Sequence, residues 1–488
     1  MVGPDYKRPP PASEPTPAYK EASGEVNGVA FRPALPRDTI DRGPWWKIYD
    51  DPVLDGLMAQ VDVSNQTLKE NEAAYRQAVA LIRQAQSPLY PTVTYSGGAS
   101  TVSGGGGSTS RAGSGVAADS VGQFSVGPAL SWEIDVWGSI RRAVESDAAA
   151  AQASAGTLAA ARLSAQSSLA TAYFSLRIAD EALDLYSRSV AAYEQSVTIV
   201  RNQMNSGTAS GLDLAQAETL LEQTRALYAA EGAVRAVFEH AVAAQIGKMP
   251  AEVSVAKAPL SQTVPTLDAG APSSLLERRP DVASAERSMQ AANAQIGVAV
   301  AAYYPQFTFS ASITFLSTML SNLLQIGSAV WSLGPQLAGT AIDGGARGAQ
   351  VEGARAAYDK AIATYRQTVI TAFQQVEDSL AQQHYYQLQE EIQRRAVAAA
   401  NEAVQLSLNQ YQAGTIAYTT VITAQTTALS AEQTLINVRL NRFTTSSTLV
   451  TALGGGWREQ DLPDPVPTLP TPMAGGSPST KKSSWWPF

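Results

Sequence analysis

The sequence predicts a mostly α-helical chain built by internal duplication, with a β-barrel part to which each chain contributes only four strands. Three observations carry this. Motifs recur at a constant offset: Gly127-Pro128-Ala129-Leu130 returns as Gly334-Pro335-Gln336-Leu337, Gly207-Thr208 as Gly414-Thr415, and Ala244-Gln245-Ile246-Gly247 as Thr451-Ala452-Leu453-Gly454, each 207 residues later. Proline is absent between Pro128 and Pro250 and again between Pro335 and Pro463, and each stretch is broken near its middle by glycine. Between these stretches the apolar period changes from seven residues to two.

The composition narrows the function classes. The 488 residues carry 35 Lys+Arg against 43 Asp+Glu, a net charge of −8 that argues against nucleic-acid binding. Charged residues make up 16 %, well under the roughly 25 % usual for soluble domains, so much of the surface is hidden or covered by uncharged polar groups. The absence of cysteine excludes disulfides, thiol catalysis and Cys-ligated zinc. No run of eighteen apolar residues offers a membrane-spanning helix, which leaves the β-barrel as the route across a bilayer. A basic-then-apolar leader is not seen, so the expectation is that any signal peptide has been removed or never existed.

The elements follow in order. Residues 1–52, rich in proline, read as an extended N-terminal segment. The first repeat, 53–250, reads as a helix, a hairpin of strands 92–102 and 122–136, a long helix 138–205 and a shorter one 212–246. At 1.5 Å per residue the long helix reaches on the order of 100 Å. Along it Leu169, Leu176, Leu183, Val190 and Val197 stand seven apart, and Ala172, Ala179, Tyr186, Tyr193 and Val200 follow each by three, the a/d seam of a coiled coil. Leu220, Leu227, Val234 and Ala241 offer a matching seam on the shorter helix. A linker, 251–280, leads to the second repeat, 281–457, with strands 306–316 and 329–341 and a less regular helical seam. Upstream of the strands Tyr90-Pro91 matches Tyr304-Pro305 at an offset of 214, so the first copy holds seven extra residues. The run Ser103–Ser108 reads as the glycine-rich hairpin tip that absorbs them. Residues 458–488 read as a flexible C-terminal tail ending in Lys481-Lys482 and Trp485-Trp486.

The strands alternate strictly. Phe124, Val126, Leu130, Phe307, Phe309, Trp331 and Leu333 form the apolar, lipid-facing set, against a second set of Ser, Thr, Gly and Gln. About ten residues is the length of a tilted strand that crosses a bilayer. Four strands cannot close a barrel, since the smallest membrane barrels need about eight, and open edges are prohibitive in lipid. Several chains must therefore build it, three of them giving twelve strands. The alternative of a different class is a soluble coiled-coil scaffold with a small β-domain.

Catalytic chemistry finds little support. His240 and His384 each lie in a helical stretch without a second histidine at i+3 or i+4, so neither zinc nor a Ser-His-Asp arrangement is expected. Ser103–Ser108 lacks the Gly-Lys-Ser/Thr of a phosphate loop. Glu133 and Asp135 share a strand face and read as residues of a watery lumen rather than an acid/base pair. The chain is expected to be no enzyme and to use no cofactor and no metal.

At these residues the chain resembles the TolC-like outer-membrane factors of tripartite efflux pumps, and within them the lipoprotein branch. Val2-Gly3-Pro4-Asp5-Tyr6-Lys7-Arg8-Pro9 looks like that branch's start. Trp45-Trp46, Asp51-Pro52, Leu54, Leu57, Asn65 and Leu68 fit its opening helix. Trp132-Glu133-Ile134-Asp135-Val136-Trp137-Gly138 with Arg141-Arg142 fit the strand-to-helix junction, and Arg278-Arg279-Pro280-Asp281-Val282 with Tyr303-Tyr304-Pro305 fit the second copy. The resemblance implies a homotrimer with a 12-stranded barrel in the outer membrane of a Gram-negative bacterium, continued by a long α-helical coiled-coil tunnel through the periplasm. It implies a passive gated duct that exports drugs or other small molecules. The implied partners are a periplasmic adaptor (membrane-fusion) protein, an inner-membrane pump of the resistance-nodulation-division type and outer-membrane lipids. A type I protein-secretion duct of the same fold is the close alternative. The scarcity of Met and His clusters weighs slightly against copper or silver as cargo. Met1 stands where the branch carries its lipidated, palmitate-bearing cysteine. Thr423, a turn after Thr419, precedes Ala424-Gln425 where relatives often have aspartate. Gly207, Asp213, Gly414, Thr419 and Thr423 are therefore the expected periplasmic gate and turn residues, with Asp213 the nearest acidic one.

Overall fold

A computed structural model describes residues 1–8, 25–26, 29–30, 44–103, 120–260, 264 and 279–455. The sequence-based expectations for the glycine-rich hairpin tip and the C-terminal tail lie outside these residues. Glu25–Val26 (β1) and Val29–Ala30 (β2) form a two-residue antiparallel ladder.

The helices start where the sequence places their caps. The carboxylate of Asp51 accepts from the N–H groups of Val53 and Leu54, and Pro52 occupies the first turn of α1, Pro52–Ser64. Asn65 caps α2, Gln66–Gln86, in the same way. Strands β3 (Thr92–Ser103) and β4 (Ser120–Glu133) come next, then α3 (Ser139–Asn205) and α4 (Gly211–Gln245). The second copy runs through α5 (Pro280–Ala301), β5 (Gln306–Ser317), β6 (Ala329–Ala338), α6 (Ala346–Gln412) and α7 (Tyr418–Ala452). Both long helices have 67 residues and both short ones 35, so the duplication holds to the residue. Left-handed glycines mark equivalent joints: Gly138 and Gly345 before the long helices, Gly207 and Gly414 after them, Gly247 and Gly454 after the short ones.

The four long strands form one antiparallel sheet in the order β3-β4-β5-β6, leaving β3 and β6 as open edges. Below it α3 packs against α2, α4, α5 and α7, and α6 packs against α5 and α7. Four apolar clusters sit along the helices, a small one joining Ile82 of α2 to Ala148 and Ala151 of α3. The largest joins Trp45, Tyr49, Leu54 and Met58 to the middle of α3 at Leu169–Ile178 and to Val242 and Phe443. A second lies between α5, α6 and the end of α7, and a third fills the tip where the long helices turn.

Four expectations are corrected. Strand β4 ends at Glu133, not at residue 136, because the Asp135 carboxylate turns away to accept from the N–H groups of Ile140 and Arg141. Strand β6 likewise ends at Ala338. On α4, Leu220 is buried but Leu227 and Val234 are exposed; Ala217, Leu221, Thr224 and Val242 make the buried face instead. The N-terminal segment is also interrupted by a 3-10 turn at Trp45–Tyr49, with Trp45 and Tyr49 buried.

Candidate functional site

Strand pairing places side chains on faces, because residues opposite one another in a ladder point the same way. One row runs Val93, Leu130, Ala311, Leu333. The row on one side runs Val126, Phe315 and Ala329, and on the other Trp132, Phe309 and Pro335. Phe307 faces Leu337 and Ile313 faces Trp331. Phe124, Val126, Leu130, Phe307, Phe309, Trp331 and Leu333 thus share one face. Trp331 and Leu333 are 73 % and 63 % exposed, a large apolar area without cover from the chain's own helices.

The opposite face carries hydroxyls: Thr94, Ser131, Ser310 and Ser312, with Ser312 and Ser332 hydrogen-bonded at 2.9 Å. Glu133, beside Thr308, is the single charged residue of strands β3–β6 among the described residues. Asp135 does not share its role. Burial disfavours its charge, but the Arg141 and Ile140 N–H groups and the Arg141 guanidinium outweigh this and hold the carboxyl below the ordinary range. Asp343 does the same at the start of α6. Bonds from the Arg347 guanidinium and from the Gly345 and Arg347 N–H groups lower its pKa to about 2.

At this junction between sheet and helices, Trp137 stacks on Tyr304 with ring centres 4.6 Å apart and donates to the Pro305 carbonyl at 2.8 Å. The N-terminal residues are seated beside it. The Val2 N–H donates to the Trp137 carbonyl, and the buried Arg142 guanidinium donates to the Val2 carbonyl and the Asp5 carboxylate. Tyr6 and Arg8 both reach the buried Glu286. Sequence reasoning identified this stretch only by resemblance.

Midway down, ion pairs brace the helices of each repeat, and one of them crosses between the repeats. Asp180 meets Arg177 and Arg235, and Glu181 meets Arg439 of α7. Burial opposes the charge of Glu390, yet Arg442 and Arg394 hold its carboxyl low.

The tip has repeated geometry. After α3 the Gly207 and Thr208 N–H groups bond back to Met204 and Gln203; after α6 the Gly414 and Thr415 N–H groups bond back to Tyr411 and Gln410. This is the left-handed helix stop that glycine allows without Cβ strain. Asp213 caps α4: its carboxylate accepts from the Ser210 N–H at 3.0 Å while Ser210 Oγ accepts from the Asp213 N–H at 3.2 Å. Thr423 bonds back to the Thr419 carbonyl at 2.9 Å, so neither threonine brings charge. What links the two coils went unread in the sequence. Tyr193 OH donates to the Gln425 carbonyl at 3.2 Å, and the Gln425 amide donates to Ser196 Oγ at 3.0 Å, all buried. Burial pushes the hydroxyl pKa of both Tyr193 and Tyr418 up to about 12. Among the described residues no group of three or more His, Asp or Glu side chains could hold a metal ion, and His240 and His384 lie on different helices.

Comparison with known proteins agrees with this architecture. The family model described as outer membrane efflux protein matches residues 57–248 and 271–455, one block per repeat. The chain is 30 % identical over 468 residues to a probable efflux pump outer membrane protein, TtgC, of Pseudomonas putida KT2440, covering 94 % of this chain and 93 % of that protein. It is 27 % identical to the cation efflux system protein CusC of Escherichia coli O6:H1, over 94 % of this chain and 96 % of that one. Among solved structures, the outer-membrane channel OprN superposes with a TM-score of 0.83 at 27 % identity, over 93 % of this chain and 99 % of that chain. The open state of the Neisseria gonorrhoeae MtrE outer membrane channel gives a TM-score of 0.79 at 25 % identity, covering 94 % and 98 %.

Proposed function

The chain belongs to the outer membrane efflux protein family, and from that premise we infer that it is the outer-membrane channel of a tripartite efflux system. It is a passive duct that carries small molecules across the periplasm and outer membrane. The observation that carries this reading is the sheet: four strands, one face apolar and uncovered, one face hydroxylated, both edges open. Lipid satisfies the first face and water the second, and β6 of one chain pairing with β3 of the next satisfies the edges. Three chains supply the strands of a closed barrel, and the 67-residue helices continue it as a tunnel.

Its partners are a periplasmic adaptor and an inner-membrane pump, and the pump supplies the energy. Its role is transport rather than catalysis. Relatives named for toluene, antibiotic and cation efflux share the fold, so cargo choice rests with the pump rather than with the duct. The gate, in this reading, lies at the turns Gly207 and Gly414, with Asp213, Thr419 and Thr423 beside them. The link from Gln425 to Tyr193 and Ser196 holds the coils together there. An acyl group on a cysteine at position 1 would lie at the level of Trp137 and Tyr304, where a membrane boundary is expected.

The test is the protein mass of the detergent-extracted particle by light scattering, with detergent subtracted. Three chains of 51.4 kDa are expected, conducting ions in planar bilayers. A monomer that stays in solution without detergent would overturn the reading in favour of a soluble coiled-coil scaffold.

A further inference from the structure

Building on the barrel reading, we propose that Glu133 sets the charge preference of the barrel lumen, making its periplasmic mouth favour cationic over anionic solutes. Strands β3–β6 hold 12, 14, 12 and 10 residues, and Glu133 alone is charged among them. It sits on the hydroxylated face, paired with Thr308, at the strand end that feeds α3. The acids nearest in the repeat pattern are spent: Asp135 is bonded to Arg141, and Asp343 to Arg347. Among the described residues no cation pairs with Glu133, and β4 is an inner strand of the sheet rather than an edge. Threefold assembly turns this one carboxylate into a ring of three in an otherwise neutral wall.

The absence of native cysteine permits a local test in intact cells. Ser310 faces the lumen two residues from Thr308 and pairs with Ser131, so a thiol in Ser310→Cys stands beside Glu133 on the same face. Its reaction with a cationic and an anionic methanethiosulfonate, added from outside, reports the local potential without passing the tip. Two residues along a strand span about 7 Å, and at a Debye length of about 10 Å one carboxylate then separates the two rates by about threefold. The cationic reagent should react faster by about that factor, and more so at lower salt. Glu133→Gln should abolish the difference and Glu133→Asp restore it.

Equal rates with Glu133 present, or a ratio unchanged in Glu133→Gln, would overturn the proposal while leaving the channel intact. A thiol at Ser310 that neither reagent reaches would also overturn it, since the wall would then not be open to solutes. If Leu333→Cys reacts instead of Ser310→Cys, the faces are reversed and the barrel reading itself falls.

Discussion

Leu333→Lys puts the membrane assignment under direct strain. Leu333 lies mid-strand in β6, opposite Ala311, whose other neighbour is Leu130, so the new ammonium would sit near the middle of the apolar face. At the midplane of a barrel a lysine on the lipid side costs about 2–4 kcal/mol per chain, and three chains bring the trimer to roughly 6–12 kcal/mol. That is comparable to the whole stability of an ordinary domain, so assembly should fail rather than weaken. Ser332→Lys, one residue away, is the control: alternation sends it to the opposite, watery face, at the cost of a single hydrogen bond to Ser312. The assay is the amount of heat-dissociable trimer in the outer-membrane fraction. Wild-type levels of Leu333→Lys trimer, or equal loss for Ser332→Lys, would refute the face assignment.

Other perturbations reach different parts of the chain. A Cβ on Gly127 would fall 2.0 Å from the Ile313 carbonyl oxygen, so Gly127→Val should block folding of the β4–β5 ladder and abolish trimer in the same assay. Leu169→Ala opens a cavity in the largest apolar cluster and should cost about 3–5 kcal/mol per chain, seen as a lower temperature of trimer dissociation. Gln425→Ala removes the amide held by Ser196, and the loosened coils should raise the conductance of the isolated channel; unchanged conductance would place the restraint elsewhere. The Asp343 carboxyl is lowered, so its cap is complete above the unfolded value near pH 4 and is lost as pH falls through about 2. The difference in thermal stability between wild type and Asp343→Asn should therefore be full at pH 6 and shrink below about pH 4.

What the sequence made legible were the features that one strong local rule controls. Alternation grouped the named strand residues on one face, as the ladder pairing does, because a slip of one position would exchange the places of Ser310 and Phe309. Proline-free stretches ended by glycine located the two first-copy helices within a residue, since Gly207 is needed in the left-handed conformation to turn the chain. The first-copy seam on α3 was readable because its members from Leu169 to Val200 are buried, save the half-buried Ala172 and Val190. Its partner was misread for a physical reason. The run Leu220, Leu227, Val234 keeps a perfect seven-residue spacing, but Thr224 is the residue packed inward, its hydroxyl satisfied by the Leu220 carbonyl. A threonine that bonds its own helix can enter a seam at little polar cost, and period counting scores it as surface.

The tip links were invisible for a different reason. Gln425 and Ser196 are 229 residues apart, and neither lies in a pattern that names its partner. Repetition predicts that the two coils resemble each other; it does not predict how they touch. At such contacts the copies differ, since Tyr193 of the first bonds to Gln425 of the second across the pseudo-repeat. A gate requires such a joint: the coils can stay intact while the few polar bonds between them break, each worth about 1 kcal/mol net. The buried links at Tyr193, Ser196 and Gln425 are weak enough for a docking partner to replace, whereas the cluster around Leu169 and Phe174 is not. Motion should therefore concentrate at the tip, and the sheet with its junction should stay fixed while the duct opens.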